Sequence, residues 1–280
     1  MACHSERVDR RPKNLCLREE PLRYAQSDMI RGFMKPTLNW QIASVTNIKP
    51  ETTKVKSFTL TLPSWMPHRA GQHYDIRLTA EDGYQTQRSY SIASEPEREG
   101  EIDITVERIN DGEVSTYLHD TLIPGDLVEV RGPIGGYFVW EAGLRPAPLL
   151  LIAGGSGVVP LMSMLRHRAA ADDTNATALL YSSRNFEDII YFNELENLRK
   201  ANNGPQIFHT LTRSQPADWK GYARRIDEEI LREVAAPLGE AVQVFICGPT
   251  LMVESAANIL VKMGIDSDRI RTERFGPTGG

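Results

Sequence analysis

The stretch Leu149-Leu150-Leu151-Ile152-Ala153-Gly154-Gly155-Ser156-Gly157-Val158-Val159-Pro160 decides the fold class. Leu149–Ala153 is a short, unbroken apolar run, the mark of a strand buried on both faces in a parallel sheet. It leads into three glycines within four residues and then into a helical pattern over Val158–Ala171. Strand, glycine turn and helix in that order let backbone amides approach a phosphate, while the helix N-terminus stabilises its charge. Pro160 stands where the G-x-G-x-x-G pattern has its third glycine, and proline is tolerated in the first turn of a helix. A purely structural turn is the competing reading of the same residues.

Downstream the pattern recurs. Ala178–Ser182, Gln206–Leu211 and Val242–Cys247 are further short apolar runs, separated and followed by the helical stretches Asp188–Lys200, Asp227–Val234 and Thr250–Met263. Ile270–Glu273 adds a last strand. Such alternation predicts a doubly wound parallel sheet whose ligands bind beyond the carboxyl ends of the strands. Upstream the periodicity changes to two. Trp40–Ile48, Val55–Leu62, His73–Leu78, Ser89–Ile92, Ile102–Ile109 and Leu127–Gly132 read as six short strands, interrupted by one helical turn at Val114–Thr121. They predict a small antiparallel barrel or sandwich. The chain is therefore all-β plus α/β, with a barrel over residues 38–145, a parallel-sheet domain over 146–280, and no internal repeats. Residues 1–37 mix charges, Pro and isolated apolar residues without periodicity and read as a disordered extension, with Met29 or Met34 a candidate natural start.

Composition excludes several classes. A chain of 280 residues with 41% hydrophobic and 25% charged residues is an ordinary globular protein. Its net charge of −5 disfavours nucleic acid as a partner. Residues 1–37 carry a balance of +3 and the remainder −8. Apolar runs such as Pro148–Ala153 are too short to span a membrane, and the N-terminus lacks an apolar signal core, so a cytoplasmic location is expected. Of three cysteines, Cys3 and Cys16 lie in the extension and only Cys247 in the body. The body therefore cannot build a disulfide framework, a four-cysteine cluster or a cysteine zinc site. The six histidines show no metal-ligand spacing. Arg166, His167 and Arg168 form a basic helical patch, either simply solvated or open to an acidic partner, as is the basic extension.

Five constellations carry chemistry. Arg88-Ser89-Tyr90-Ser91, with Ser94 three residues on, offers a phosphate fork, a flat ring and hydroxyls on one strand; alternation places Arg88 and Tyr90 on one face. Arg108-Ile109-Asn110-Asp111-Gly112-Glu113-Val114-Ser115 is a glycine turn entering a short helix whose amides can meet phosphate. The glycine turn Gly154-Gly155-Ser156-Gly157 is the third. The second parallel strand ends in Tyr181-Ser182-Ser183-Arg184, with two hydroxyls and a guanidinium where a site selective for an unphosphorylated ribose would place an acid. Arg184 suits a 2′-phosphate, or else pairs with Glu187 or Asp188. The fourth strand ends in Cys247-Gly248-Pro249, where the thiol either faces the crevice or is a buried core cysteine. Finally, Glu273 and Phe275 share a face of the last strand.

In this order and context, R-x-Y-S, G-G-x-G-x-x-P and C-G-P resemble the ferredoxin–NADP reductase superfamily over about residues 38–280, nearest its single-chain bacterial members without an iron–sulfur domain. The resemblance implies a barrel that binds flavin, FAD ordinarily and FMN as the alternative, joined to a domain for NADPH or NADH. It implies Arg88 on flavin phosphate, Tyr90 packed on the isoalloxazine and Ser91 near its N5. It implies Arg108, Gly112, Val114 and Ser115 as a second flavin-phosphate segment. Gly154, Gly155, Ser156, Gly157, Ser183, Arg184, Gly248 and Pro249 fall to the nucleotide. Ser91, Cys247 and Glu273 match the catalytic serine, cysteine and glutamate. Phe275 matches the aromatic that covers the flavin, although five residues follow it here. The expected activity is a flavin-dependent oxidoreductase that takes hydride from NAD(P)H, NADPH favoured, and passes electrons to a separate acceptor, a ferredoxin-like protein by resemblance. Reduction of free flavin or another small acceptor is the alternative; a non-catalytic nucleotide-binding subunit is a second. No oligomeric state is implied.

Overall fold

Alternating apolar side chains turn six strands into one closed layer. β1 (Gln41–Thr52), β2 (Val55–Thr61), β3 (His73–Thr79), β4 (Gln85–Ser91), β5 (Glu101–Glu107) and β6 (Leu127–Ile134) form an antiparallel sheet in the order β4-β3-β6-β1-β2-β5. Phe58, Leu60, Tyr74, Ile76, Ile104 and Val130 fill its interior and are fully buried. The two edges meet through a bridge between Ile92 and Ile104, reinforced by the Ala93 N–H donating to the Asp103 carbonyl at 2.7 Å. The sheet is thus a barrel, and α1 (Glu113–Asp120) packs Val114 and Leu118 into its core. β4 begins four residues before Ser89, because Gln85–Arg88 pair with Ile76–Thr79 despite being too polar to show alternation. β1 likewise outruns Ile48, reaching Thr52 through two register shifts. This computed structural model describes residues 38–144 and 146–275. The extension 1–37, with Cys3, Cys16, Met29 and Met34, and the residues after Phe275 lie outside the described residues.

The second half is a parallel sheet ordered β11-β10-β7-β8-β9, from β7 (Leu149–Gly154), β8 (Thr177–Ser183), β9 (Gln206–Leu211), β10 (Gln243–Pro249) and β11 (Ile270–Phe275). The central strand β7 is buried at every residue, as its unbroken apolar run requires. Helices α2 (Val158–Ala170), α3 (Phe192–Lys200), α4 (Glu228–Ala235) and α5 (Thr250–Lys262) complete the layers. α3 starts later than the expected Asp188, because Phe186–Asp188 form a 3-10 turn and Tyr191 adopts a left-handed φ of 61° just before the helix. The chain winds from β7 through β8 to β9, then returns to β10 on the other side of β7. That reversal leaves a crevice at the carboxyl ends of β7 and β10.

From Leu38 onward the chain is one compact unit, and a single apolar cluster joins its two sheets. Phe138 meets Phe245 edge-on with centroids 5.4 Å apart. The Ser163 hydroxyl donates to the Ser94 carbonyl at 2.6 Å, and Tyr191 donates to Thr105. Arg166 donates to the Ala93 carbonyl at 2.8 Å and forms a bidentate pair with Glu194, both contacts at 2.8 Å. Arg168 is buried and donates to the carbonyls of Asn175 and Asn203. The basic patch expected at Arg166–Arg168 is therefore not a surface feature; its guanidiniums serve the seam and a loop. Among the described residues no helix is long and apolar enough to cross a membrane, and no group of three or more His, Cys, Asp or Glu could hold a metal ion.

His209 on β9 supplies a test of the packing. It lies among Tyr181, Phe192 and Trp219, and neither ring nitrogen has a hydrogen-bond partner. Burial disfavours its charged form and lowers its pKa to about 4. The unfolded chain, with an ordinary histidine pKa near 6.5, takes up the proton first, so stability falls as pH drops from about 6.5 towards 4. Denaturant titrations should show a loss of about 2 kcal/mol between pH 7.5 and 5 from this residue. His209→Leu should flatten that part of the profile; an unchanged slope would refute the assignment.

Candidate functional site

The sheet register collects the motifs at one edge. Gly154 pairs with Ser182, Ala153 with Cys247, Ser183 with Leu211, and Cys247 with Glu273. The glycine turn is shaped by two demands. Gly155 has φ +55°, a conformation L side chains rarely adopt. A Cβ on Gly157 would lie 2.2 Å from the Cys247 carbonyl oxygen, so the start of α2 can rest on the end of β10 only without a side chain there. Pro160 sits within the first turn of α2, as anticipated.

Cys247 is 2% exposed, and its Sγ lies 4.0 Å from Glu273 Oε2. Burial, and secondarily the Glu273 charge, raises the thiol pKa well above its ordinary value. Burial also lifts Glu273 to about 7, so this carboxyl exchanges its proton near neutral pH while the thiol stays protonated. Cys247 is thus a buried cysteine that abuts a titratable carboxyl.

A cleft of about 710 Å³ opens over this edge, with the glycine turn on one side and the barrel residues Thr52, Lys54, Val55 and Glu107 on the other. Ser183 and Arg184 line it, and the buried Ser183 hydroxyl has no hydrogen-bond partner. Arg184 pairs with neither Glu187 nor Asp188; Asp188 instead accepts from Asn185 at 2.7 Å. Arg213, just after β9, and Arg225, just before α4, line the same cleft. Among the described residues none of these three arginines makes an ion pair. Sequence reasoning missed Arg213 and Arg225 because no motif flanks them; the one available signal was the position of Arg213 at the carboxyl end of the third parallel strand. Phe275 also lines the cleft, half-buried.

Arg88, Tyr90 and Ser91 do not line that cleft and belong to a second grouping on the barrel. Arg88 and Tyr90 share the face of Ile76 and Tyr74, as alternation requires, while Ser89 on the opposite face donates to Asp75. Burial pushes the Tyr90 pKa up to about 12, opposed by the nearby Arg88 charge. α1 packs against β4, and its N-cap, Gly112, supplies no capping side chain. Val114 is buried in the barrel core, and Ser115 hydrogen-bonds the Ile109 N–H and the Gly112 carbonyl. Arg108 is turned to Asp120 in a bidentate pair, with contacts of 3.1 and 2.7 Å. Arg88 carries no carboxylate partner among the described residues; its only side-chain bond is to the Gln87 carbonyl. The unpaired Arg88 guanidinium, on a strand against which α1 packs, is a donor suited to phosphate.

Residues 41–139 match the oxidoreductase FAD-binding domain family, and residues 151–258 the oxidoreductase NAD-binding domain family. The chain is 36% identical to ferredoxin–NADP reductase B of Sorangium cellulosum, over 74% of this chain and 84% of that protein. It is 31% identical to the glycine betaine monooxygenase reductase subunit of Pseudomonas aeruginosa, over 89% of this chain and 70% of that one. The FAD/NAD-binding domain of nitric oxide dioxygenase from Vibrio cholerae superposes with a TM-score of 0.76 at 26% identity, covering 85% of this chain and 99% of that one. The chain belongs to the ferredoxin–NADP reductase superfamily.

As a member, it is a flavin-dependent oxidoreductase that draws electrons from NAD(P)H through FAD. Bound flavin accepts two electrons together and can release them singly. Gly157→Ala should displace the end of β10 and cost about 1–3 kcal/mol as overpacking. A melting temperature equal to wild type would show that the approach of Gly157 to Cys247 is not a constraint.

Proposed function

We propose that this reductase prefers NADPH to NADH and delivers electrons from its flavin to a separate protein acceptor, a ferredoxin-like carrier or the oxygenase it serves. The observation that carries the nucleotide preference is the cluster of Ser183, Arg184, Arg213 and Arg225 on one wall of the cleft, without an acidic partner for any guanidinium among the described residues. A 2′-phosphate would meet forked donors and an unsatisfied hydroxyl, where an unphosphorylated ribose would leave them unused. Residues 38–145 would hold FAD, through Arg88, Tyr90, Gly112 and Ser115. Residues 146–280 would hold the nucleotide, with its pyrophosphate on the Gly154–Gly157 turn and its nicotinamide near Cys247, Gly248 and Pro249. Ser91, Cys247 and Glu273 would surround the hydride path, Glu273 acting as the group that takes or gives a proton at neutral pH. A cytoplasmic location fits that chemistry.

For the acceptor, the support is the company the chain keeps. Its relatives include a ferredoxin–NADP reductase and the reductase component of propane 2-monooxygenase from Rhodococcus jostii, 27% identical over 82% of this chain and 62% of that one. Within these 280 residues three cysteines, two of them in the extension, leave no four-cysteine cluster to carry electrons onward. With Arg166 and Arg168 committed to the seam and a loop, those two residues are not the patch that recognises an acidic carrier.

Two measurements test this reading. Wild type should show a higher kcat/KM for NADPH than for NADH, and Arg184→Ala or Arg213→Ala should each remove about 1.5–3 kcal/mol of that discrimination, roughly 10- to 150-fold. Equal values for the two nucleotides in wild type would overturn the preference. In stopped-flow reduction at saturating NADPH, Cys247→Ala and Glu273→Ala should slow hydride transfer more than they weaken nucleotide binding. Protonated Glu273 is lost as pH rises through about 7, so the wild-type rate should inflect there and Glu273→Gln should erase the inflection. Wild-type rates in both alanine variants would remove these residues from the mechanism. Reduction of free flavin but of no ferredoxin at any ionic strength would identify a small acceptor instead.

A further inference from the structure

One group in the cleft opposes its proposed ligand. Glu107 closes β5, paired with Val55 on the neighbouring strand β2, and it lines the cleft with Lys54. It accepts a hydrogen bond from the Ser156 hydroxyl at 3.1 Å. Ser156 is the side chain carried by the glycine turn, between Gly155 and Gly157, and both residues are half-buried. The contact spans 49 positions in sequence and joins the barrel to the start of the parallel-sheet domain. Asp188, the other carboxylate on the cleft wall, is occupied by Asn185, so Glu107 is the acid that reaches the turn itself. No positively charged partner neutralises it among the described residues.

We propose that Glu107 sets, and lowers, the enzyme's affinity for pyridine nucleotide, holding the Ser156 hydroxyl while the turn is free and repelling the dinucleotide pyrophosphate when it docks there. The inference rests on the cleft being the nucleotide site. Two consequences follow from the geometry. The pyrophosphate must displace the carboxylate from Ser156, so binding gives up a hydrogen bond already formed. The displaced carboxylate stays on the adjoining wall, where like charges repel. The arginine cluster draws the nucleotide in by its phosphates; Glu107 limits how tightly it stays, favouring departure of the oxidised product after each hydride transfer.

The test measures nucleotide binding directly on the flavin-loaded protein. Dissociation constants for NADP⁺ are obtained by difference absorbance or calorimetry for wild type, Glu107→Gln, Ser156→Ala and Arg213→Ala, at low and high salt. Glu107→Gln keeps an acceptor for Ser156 and removes the charge, so NADP⁺ should bind roughly tenfold tighter at low salt, with the gain shrinking at about 1 M salt as screening shortens the reach of charge. NAD⁺ should gain by the same factor, because both nucleotides carry the pyrophosphate. Unchanged or weaker binding in Glu107→Gln, with Arg213→Ala still weakening NADP⁺, would mean that Glu107 merely braces the turn and would overturn the inference alone. If Arg213→Ala also leaves NADP⁺ binding untouched, the reading of the cleft falls and the inference with it. A structural brace further predicts that Ser156→Ala lowers affinity while Glu107→Gln, which keeps the acceptor, leaves it unchanged, in place of the gain expected here for Glu107→Gln.

Discussion

The half-buried guanidinium of Arg166 fixes the geometry on which the site depends. It projects from α2, the helix that follows the glycine turn, and ties that helix to the Ala93 carbonyl of the barrel and to Glu194 of α3. It also lies over the Tyr191 ring, 5.1 Å from the centroid. Burial works against its charge, but the Glu194 carboxylate outweighs that cost and raises its pKa further. Removing Glu194 would leave the partly buried guanidinium without its carboxylate. The pair therefore resists any rearrangement that would slide α2 along the barrel. Because the glycine turn is the first part of that helix, its distance from the barrel is set by the same contacts. Hydride transfer demands that two rings meet within about 3–3.5 Å, which is why a stiff seam matters more here than in a binding module.

On the far side of the turn a second constraint operates at closer range. Gly157 lies on the Cys247 carbonyl, and Cys247 lies beside Glu273. At the strand end on which the helix start rests, the Cys247 thiol is buried and lies beside the half-buried Glu273. Desolvation then raises both pKa values. Packing and proton chemistry are linked here: the strand end that supports the helix start also holds the thiol beside the carboxyl.

The elements that were legible in the sequence are those whose local pattern admits one solution. Leu149–Ala153 reads as a strand buried on both faces because no helix of that length is stable alone, and the glycine turn after it has a steric reason at each position tested. β4 was harder, since Gln85–Arg88 sit on an edge where polar side chains are permitted and alternation disappears. The start of α3 was hidden by Tyr191, whose left-handed backbone is held by tertiary packing rather than by local preference. Arg166 and Arg168 misled for the same reason. Charge in a helix normally means solvent, and only the barrel and a distant loop reveal that Arg166 is half-buried and Arg168 buried. Arg213 and Arg225 could not be found from spacing, because the sheet brings them to Arg184 and the intervening loops carry no pattern.

Charge in the cleft is consequently a balance between walls built by different parts of the chain. The parallel-sheet side contributes Arg184, Arg213 and Arg225 from strand ends and a loop, while the barrel contributes Lys54 and Glu107. A purely cationic cleft would hold a polyanionic nucleotide in both redox states, and turnover requires the oxidised one to leave. Electrostatic attraction at a distance falls with salt, whereas a hydrogen-bonded carboxylate at the turn acts at contact. On the proposed reading of the cleft, the 2′-phosphate would meet the arginines of the sheet wall and the central pyrophosphate would meet Glu107 of the barrel wall, so capture and release could be tuned separately.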